Sequence, residues 1–210
     1  MFIWEASIAP SCAFAREGWI TKDFESEQLG ESPVGFSFGR TGKGRLGRWV
    51  VLEEKDTPSG KRVLAQTDAD PTDYRFPVAV VNEPVLKDLK VAVQCKPVSG
   101  QVDQAAGIVF RFQDENNYYV TRANALENNV RLYRVANGRR EQLAGWDGLV
   151  KTGVWHAYAV EVQGNRFQVF WDGQKVIDAR DDTFSQPGKV GVWTKADSIT
   201  DFDDLKIEPR

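Results

Sequence analysis

A chain of 210 residues with one histidine and two cysteines has few of the groups on which metal binding and nucleophilic catalysis rest. Two cysteines, Cys12 and Cys95, build neither a disulfide framework nor a cysteine-rich metal cluster. Cys95 lies in LKVAVQC, in phase with Leu89, Val91 and Val93, where it reads as a small buried hydrophobe; a Cys12–Cys95 bridge is the alternative. His156 has no serine or cysteine nucleophile motif beside it, so it reads as a structural residue following Trp155. No apolar run approaches the roughly 20 residues that span a bilayer. Positive charge is not in surplus either: 27 Lys and Arg against 30 Asp and Glu leave a net charge of −3. Nucleic acid rewards a basic face, and a polybasic membrane anchor needs the same excess. No amphipathic helix is found, and no repeat of fixed period points to a propeller or β-helix.

What is present is β-structure. Seven tryptophans and twelve phenylalanines favour strands and stacking surfaces. Runs rich in β-formers follow one another at hairpin spacing: 34–38, 48–54, 62–67, 78–82, 89–96, 106–112, 118–125, 130–136, 139–144, 155–163, 166–172, 174–179, 189–194 and 202–208. In 89–96, Leu89, Val91, Val93 and Cys95 alternate with Lys90, Ala92, Gln94 and Lys96, the pattern of a sheet with one buried face. Asn137-Gly138 and Asp172-Gly173 are hairpin signals. Many short strands imply a two-sheet antiparallel jelly-roll sandwich. Residues 31–210 are expected to form one domain, preceded by an arm over 1–30. Ala13-Phe14-Ala15 has the small-residue pattern of a signal-peptidase site, and an ordinary apolar arm fits the same residues.

The stretch Gln104–Arg134 holds the densest polar surface. Ala106, Ile108, Phe110 and Phe112 are expected on one face of their strand, with Gly107, Val109 and Arg111 on the other. Arg111, Arg122 and Arg131 fall on three successive strands, and Asn124 shares the phase of Arg122. Guanidinium and amide groups suit sugar hydroxyls or carboxylates, and Trp146, expected in the loop GWDGLVKTG, could stack on a sugar face. The same arginines would also serve as ion pairs on a solvated sheet. GRTGKGRLG (39–47) lacks the spacing of a phosphate loop and reads as a turn. DADPTDYRFP (68–77) reads as a solvated acidic loop; its oxygen ligands would also suit calcium, but the EF-hand spacing is absent.

GIVFRFQDENNYYVTRANALENNVRLYRVANGRREQL resembles the middle of concanavalin A-like sandwich domains of the 3-keto-disaccharide hydrolase type, related to laminin G-like and family 16 glycoside hydrolase-like domains. WHAYAVEVQGNRFQVFWDGQKVIDARDDTFSQPGKVGVWTKADSITDFDDLKI resembles the matching second half. The resemblance covers roughly 75–208 and extends to secreted bacterial members. It implies a convex and a concave sheet, with ligand across the concave one. It also implies a structural calcium where terminal strands meet; Asp203 and Asp204, with Asp23 or Glu25 on the arm, supply hard oxygen ligands. The paired carboxylates of family 16 hydrolases, E-x-D-x-E on one strand, are absent. The expectation is a monomeric, secreted or periplasmic module that binds a saccharide without catalysis through Arg111, Arg122, Asn124, Arg131 and Trp146. The alternatives are a glycoside-cleaving enzyme of the 3-keto-disaccharide type and a structural or protein-interaction module.

Overall fold

The computed structural model describes residues 18–210, and among these no helix occurs. Two antiparallel sheets form a sandwich. In the first, β6 (Leu89–Ser99) and β15 (Ile199–Pro209) pair at the centre. β11 (His156–Gln163), β12 (Arg166–Trp171) and β13 (Gln174–Arg180) extend one side; β4 (Arg62–Gln66) and β3 (Trp49–Glu53) extend the other. β1 (Ile20–Lys22) pairs with the C-terminal half of β15, Ile20 opposite Ile207. In the second sheet the order is β10 (Arg139–Asp147), β9 (Asn129–Ala136), β8 (Asn117–Asn124), β7 (Ala105–Asp114), β14 (Lys189–Trp193), β5 (Arg75–Val81) and β2 (Phe36–Gly42). Part of the expected arm is therefore sheet. The segment after β1 is tied down as well: the Glu25 carboxylate accepts the amides of Lys61 and Arg62 at 2.8 and 2.7 Å. Cys95 is buried; Cys12 and the Ala13–Ala15 pattern lie outside the described residues.

Between the sheets lies the main core. β6 sends Leu89, Val91, Val93 and Cys95 into it and keeps Lys90, Ala92 and Gln94 half-exposed, as the alternation predicts. Phe110, Tyr119 and Phe167 join the sheets through aromatic contacts of 4.7 to 5.4 Å. Thr121 and Tyr158 bridge the same gap by a buried 2.6 Å hydrogen bond between their hydroxyls. His156 stacks on Trp171 and is held by Asp172 and the Lys151 carbonyl.

The outer face of the seven-stranded sheet carries a second core. Phe76, Val78, Val109, Phe112, Tyr118, Val120, Tyr133 and Trp193 are all buried there. The cause is curvature. Arg140, on β10, lies 4.6 Å from the ring of Phe76, on β5, although β9, β8, β7 and β14 intervene. A flat sheet at about 4.8 Å per strand would hold them more than about 20 Å apart. The sheet has curled about its outer face, which is concave, and its own side chains fill the hollow. Tyr74 fastens the closure: its hydroxyl donates to the Gly138 carbonyl and accepts from the Arg140 amide, both at 2.9 Å.

One local feature upsets the expected phase of β7. Arg111 has φ +46°, and the β7–β8 register shifts between Phe110 and Asp114. A left-handed residue inside a strand adds a bulge and turns the side chains beyond it. Phe110 consequently points into the main core and Phe112 into the concave one, contrary to their predicted shared face.

Candidate functional site

The concave face brings together a polar network around Lys195, just past β14. Its ammonium lies 2.5 Å from Asp103 and 2.8 Å from Asp73. Asp103 also accepts a short hydrogen bond from Asn124. Its position is built locally. The Asp197 carboxylate accepts the amides of Gln101, Val102 and Asp103, and Gly100 admits the close approach, since a Cβ there would sit 1.8 Å from the Asp103 carbonyl oxygen. Burial pushes the Asp103 carboxyl above its ordinary range, against the pull of Lys195. Burial lowers Lys195, but its bonds to Asp103 and Asp73 outweigh that and hold it above its usual value. The hydrogen bond to Lys195 holds exposed Asp73 below the usual carboxylate range.

Beside this network, Arg122 donates to Asn129 at 2.5 Å, to Glu127 at 2.7 Å and to the Tyr133 hydroxyl at 3.2 Å. Its Nε is buried without a partner among the described residues. At the β2 side the concave face opens into a hollow of about 300 Å³. Its floor is Val78, Val80 and Phe112, and its rim includes Ser37, Glu115 and Asn116.

Of the five residues expected to meet a ligand, three share this face. Arg122 and Arg131 are direct cross-strand partners, and Asn124 is in phase with Arg122. Arg131 turns away over Gly145 toward the sheet edge, where it reaches the Trp146 carbonyl and Asp147. Arg111 is elsewhere: the bulge sends it to the rim between the sheets, where it bonds the carbonyls of Lys87, Phe184 and Gly164. Trp146 is not in a loop. β10 continues past a bulge between Gln142 and Ala144, and Trp146 lies opposite Val130, packed against the main core. Asp73, Asp103, Lys195, Arg140 and Trp193 were not singled out from sequence, because three of them lie in segments between strands and only the curl gathers them.

The acidic groups expected to hold calcium lie near one another, since Lys22 pairs with Leu205 and so places Asp23 beside Asp204, but each has a partner within the protein. Asp23 accepts from the Glu25 amide, Asp204 pairs with Lys206, and Asp203 accepts from Ser59 and from the Asp204 amide. Among the described residues no three His, Cys, Asp or Glu groups converge on a point that could hold a metal ion. The 68–77 segment is likewise engaged: Asp68 pairs with Arg45 and Arg75, and Asp70 accepts from Thr72 and the Arg45 amide. Arg75 to Pro77 of that expected loop are the start of β5.

Asp203 gives a pH prediction instead. It has no exposed surface, and burial raises its carboxyl to about 6. Between the ordinary carboxylate range and that value the folded state binds a proton that the unfolded state does not. Stability should therefore fall as pH rises through this window. Asp203→Asn is expected to remove the slope and to raise stability at pH 7 by about 3 kcal/mol. Urea unfolding of both proteins between pH 4 and 7 checks this; parallel profiles would refute it.

A levanase from Bacillus subtilis (strain 168) is 24% identical over 178 residues, which cover 83% of this chain but 22% of the levanase. The chain thus spans about a fifth of that relative. Among solved structures, the carbohydrate-binding module CBM66 from Bacillus subtilis superposes with a TM-score of 0.63 at 22% identity, covering 83% of this chain and 95% of the module. The cellulose-induced protein Cip1 gives 0.63 at 12% identity, covering 90% and 96%. The lumenal domain of VIP36, solved with Ca²⁺ and Man3GlcNAc, gives 0.57 at 13% identity, covering 84% of each chain. These likenesses agree on the two-sheet sandwich. The 3-keto-alpha-glucoside-1,2-lyase-like domain model matches residues 42–208, from the end of β2 to β15, and the chain belongs to that family.

Proposed function

We propose that this protein is a non-catalytic carbohydrate-binding module that works outside the cytoplasm and takes its ligand on the concave face. The observation that carries this is the joined network of Asp73, Lys195, Asp103 and Asn124 beside Arg122, Glu127 and Asn129, on one face with an apolar hollow. Fixed donors and acceptors next to apolar floor area are what a sugar, with hydroxyl edges and apolar ring faces, requires. The names of the levanase and of CBM66 support the same reading, and the chain spans 22% of that enzyme and 95% of that module. Cleavage of a glycosidic bond needs two carboxyl groups flanking an open cleft. Asp73 and Asp103 do lie on either side of Lys195, but Asp103 is 1% exposed and both are paired to that one ammonium.

A glycan array followed by calorimetry tests the proposal. The Asp73 side chain is 76% exposed and pairs with Lys195 alone among the described residues, so Asp73→Ala should leave the melting temperature within about 2 °C. It should weaken binding of the glycan found on the array about tenfold, as loss of a charge-assisted hydrogen bond does. An array with no bound glycan would overturn the proposal, and so would unchanged affinity in Asp73→Ala.

A further inference from the structure

Three arginines lie on the concave face, and two have carboxylates: Arg122 has Glu127 and Arg131 has Asp147. Arg140 has none among the described residues. Its guanidinium is held by aromatic faces instead, 4.4 Å from the Tyr133 ring, 4.6 Å from Phe76 and 6.0 Å from Trp193. Its Nη1 is buried and has no acceptor among the described residues. Nε and Nη2 have no acceptor either among the described residues and are not buried, so their N–H groups are open to a ligand. Asp73, the neighbouring acid, is engaged by Lys195.

Cation–π contacts of this kind fix the plane of the guanidinium. They leave its hydrogen-bonding edge unused. A planar fork with a fixed orientation, a full positive charge and no carboxylate at salt-bridge distance among the described residues matches a carboxylate, which accepts two parallel N–H bonds. Tyr74 adds rigidity, because it ties the Arg140 backbone to the β9–β10 turn. The fork is thus pre-set before ligand arrives.

We infer that Arg140 is a specificity-determining residue that recognises the carboxylate of an acidic sugar, so that the preferred ligand is a uronate-bearing saccharide rather than a neutral one. This rests on the carbohydrate-binding proposal above. The lysine and aspartate network next to it serves the hydroxyls; Arg140 serves the charge.

Calorimetry of the full chain with matched pairs tests the inference: cellobiose and cellobiouronic acid, galactose and galacturonic acid, β-1,4-mannan and polymannuronate. One acidic member should bind at least tenfold more tightly than its neutral partner, and the difference should shrink as salt rises. Arg140→Gln should bring the acidic glycan down to the affinity of its neutral partner, and Arg140→Lys should restore only part of the difference. Thermal unfolding of each variant shows whether the fold is kept; should Arg140→Gln unfold, the wild-type pair comparison and Arg140→Lys decide. Equal affinity for neutral and acidic partners overturns the acidic-ligand inference and leaves the carbohydrate-binding proposal standing. An acidic preference that survives in Arg140→Gln overturns the role of Arg140. Binding of no glycan, acidic or neutral, here and on the array overturns both.

Discussion

Replacing Lys195 with methionine is expected to cost about 3–5 kcal/mol of folding stability, the usual result of removing one partner of a buried ion pair. Asp103 is 1% exposed, and in that variant it would keep Asn124 but lose the ammonium that faces it. A carboxylate stranded in this way takes up a proton rather than stay charged. The deficit should therefore shrink as the pH falls toward 4 and grow toward 8, because the folded state then binds a proton that the unfolded state has released. The double variant Lys195→Met with Asp103→Asn should recover most of the loss, because the cost lies in the unpaired charge and not in the missing lysine. Urea denaturation of the wild type, both single variants and the double variant closes the cycle. Additive losses would show that the two residues act independently and would remove Lys195 as the centre of the concave network.

The second large effect concerns Arg111→Met. Arg111 has a side chain 2% exposed and joins three separate segments. Its Nε bonds the Lys87 carbonyl before β6, Nη1 bonds Phe184 after β13, and Nη2 bonds Gly164 in the β11–β12 turn. It also stacks 5.6 Å from the Phe167 ring and meets Asp88 at 3.4 Å. Methionine can fill most of the volume but leaves three carbonyls without this donor, at about 1–3 kcal/mol for each that water cannot reach. A loss of about 3–5 kcal/mol is the expected result, and Arg111→Lys should rescue little, because one ammonium cannot reach three diverging carbonyls. Hydrogen exchange adds a spatial test. The Gly164 amide, bonded to Asp88 at 2.8 Å, should lose protection early, while that of Val93 in the central strand should change only with global stability. A stability change within about 0.5 kcal/mol would mean that Arg111 contributes no more than an ordinary surface residue does.

Arg111 also shows where the sequence was and was not legible. Hairpin chemistry was readable because it is local. Asn137-Gly138 and Asp172-Gly173 both form turns with positive φ at each central residue, as type I′ hairpins demand. Alternation in 89–96 was readable because that strand has one dry face and one wet face. The phase of Phe112 was not, because a left-handed residue within β7 leaves no mark in an arginine-containing strand. Trp146 was misplaced for a related reason: the β10 bulge lets a strand run on through a glycine-bearing segment that reads as loop.

The candidate site was half legible. Arg122, Asn124 and Arg131 could be grouped because they sit on neighbouring strands of one meander. Lys195, Asp73 and Asp103 could not, because their meeting depends on three connecting segments and on the curl of a whole sheet. No periodicity within a strand encodes that curl. It shows only in what it makes possible, a strand such as β5 in which all seven residues are buried.

That two-sided burial has an evolutionary consequence. Where both faces of a sheet are dry, nearly every substitution in its central strands is tested against packing, so these strands can drift only slowly. Freedom to vary is left to the margin: Asp73, Glu127 and Arg140, and the hollow's edge at Ser37, Glu115 and Asn116. Domains built on this plan can exchange one ligand for another by changes at the margin while the framework beneath is inherited almost untouched.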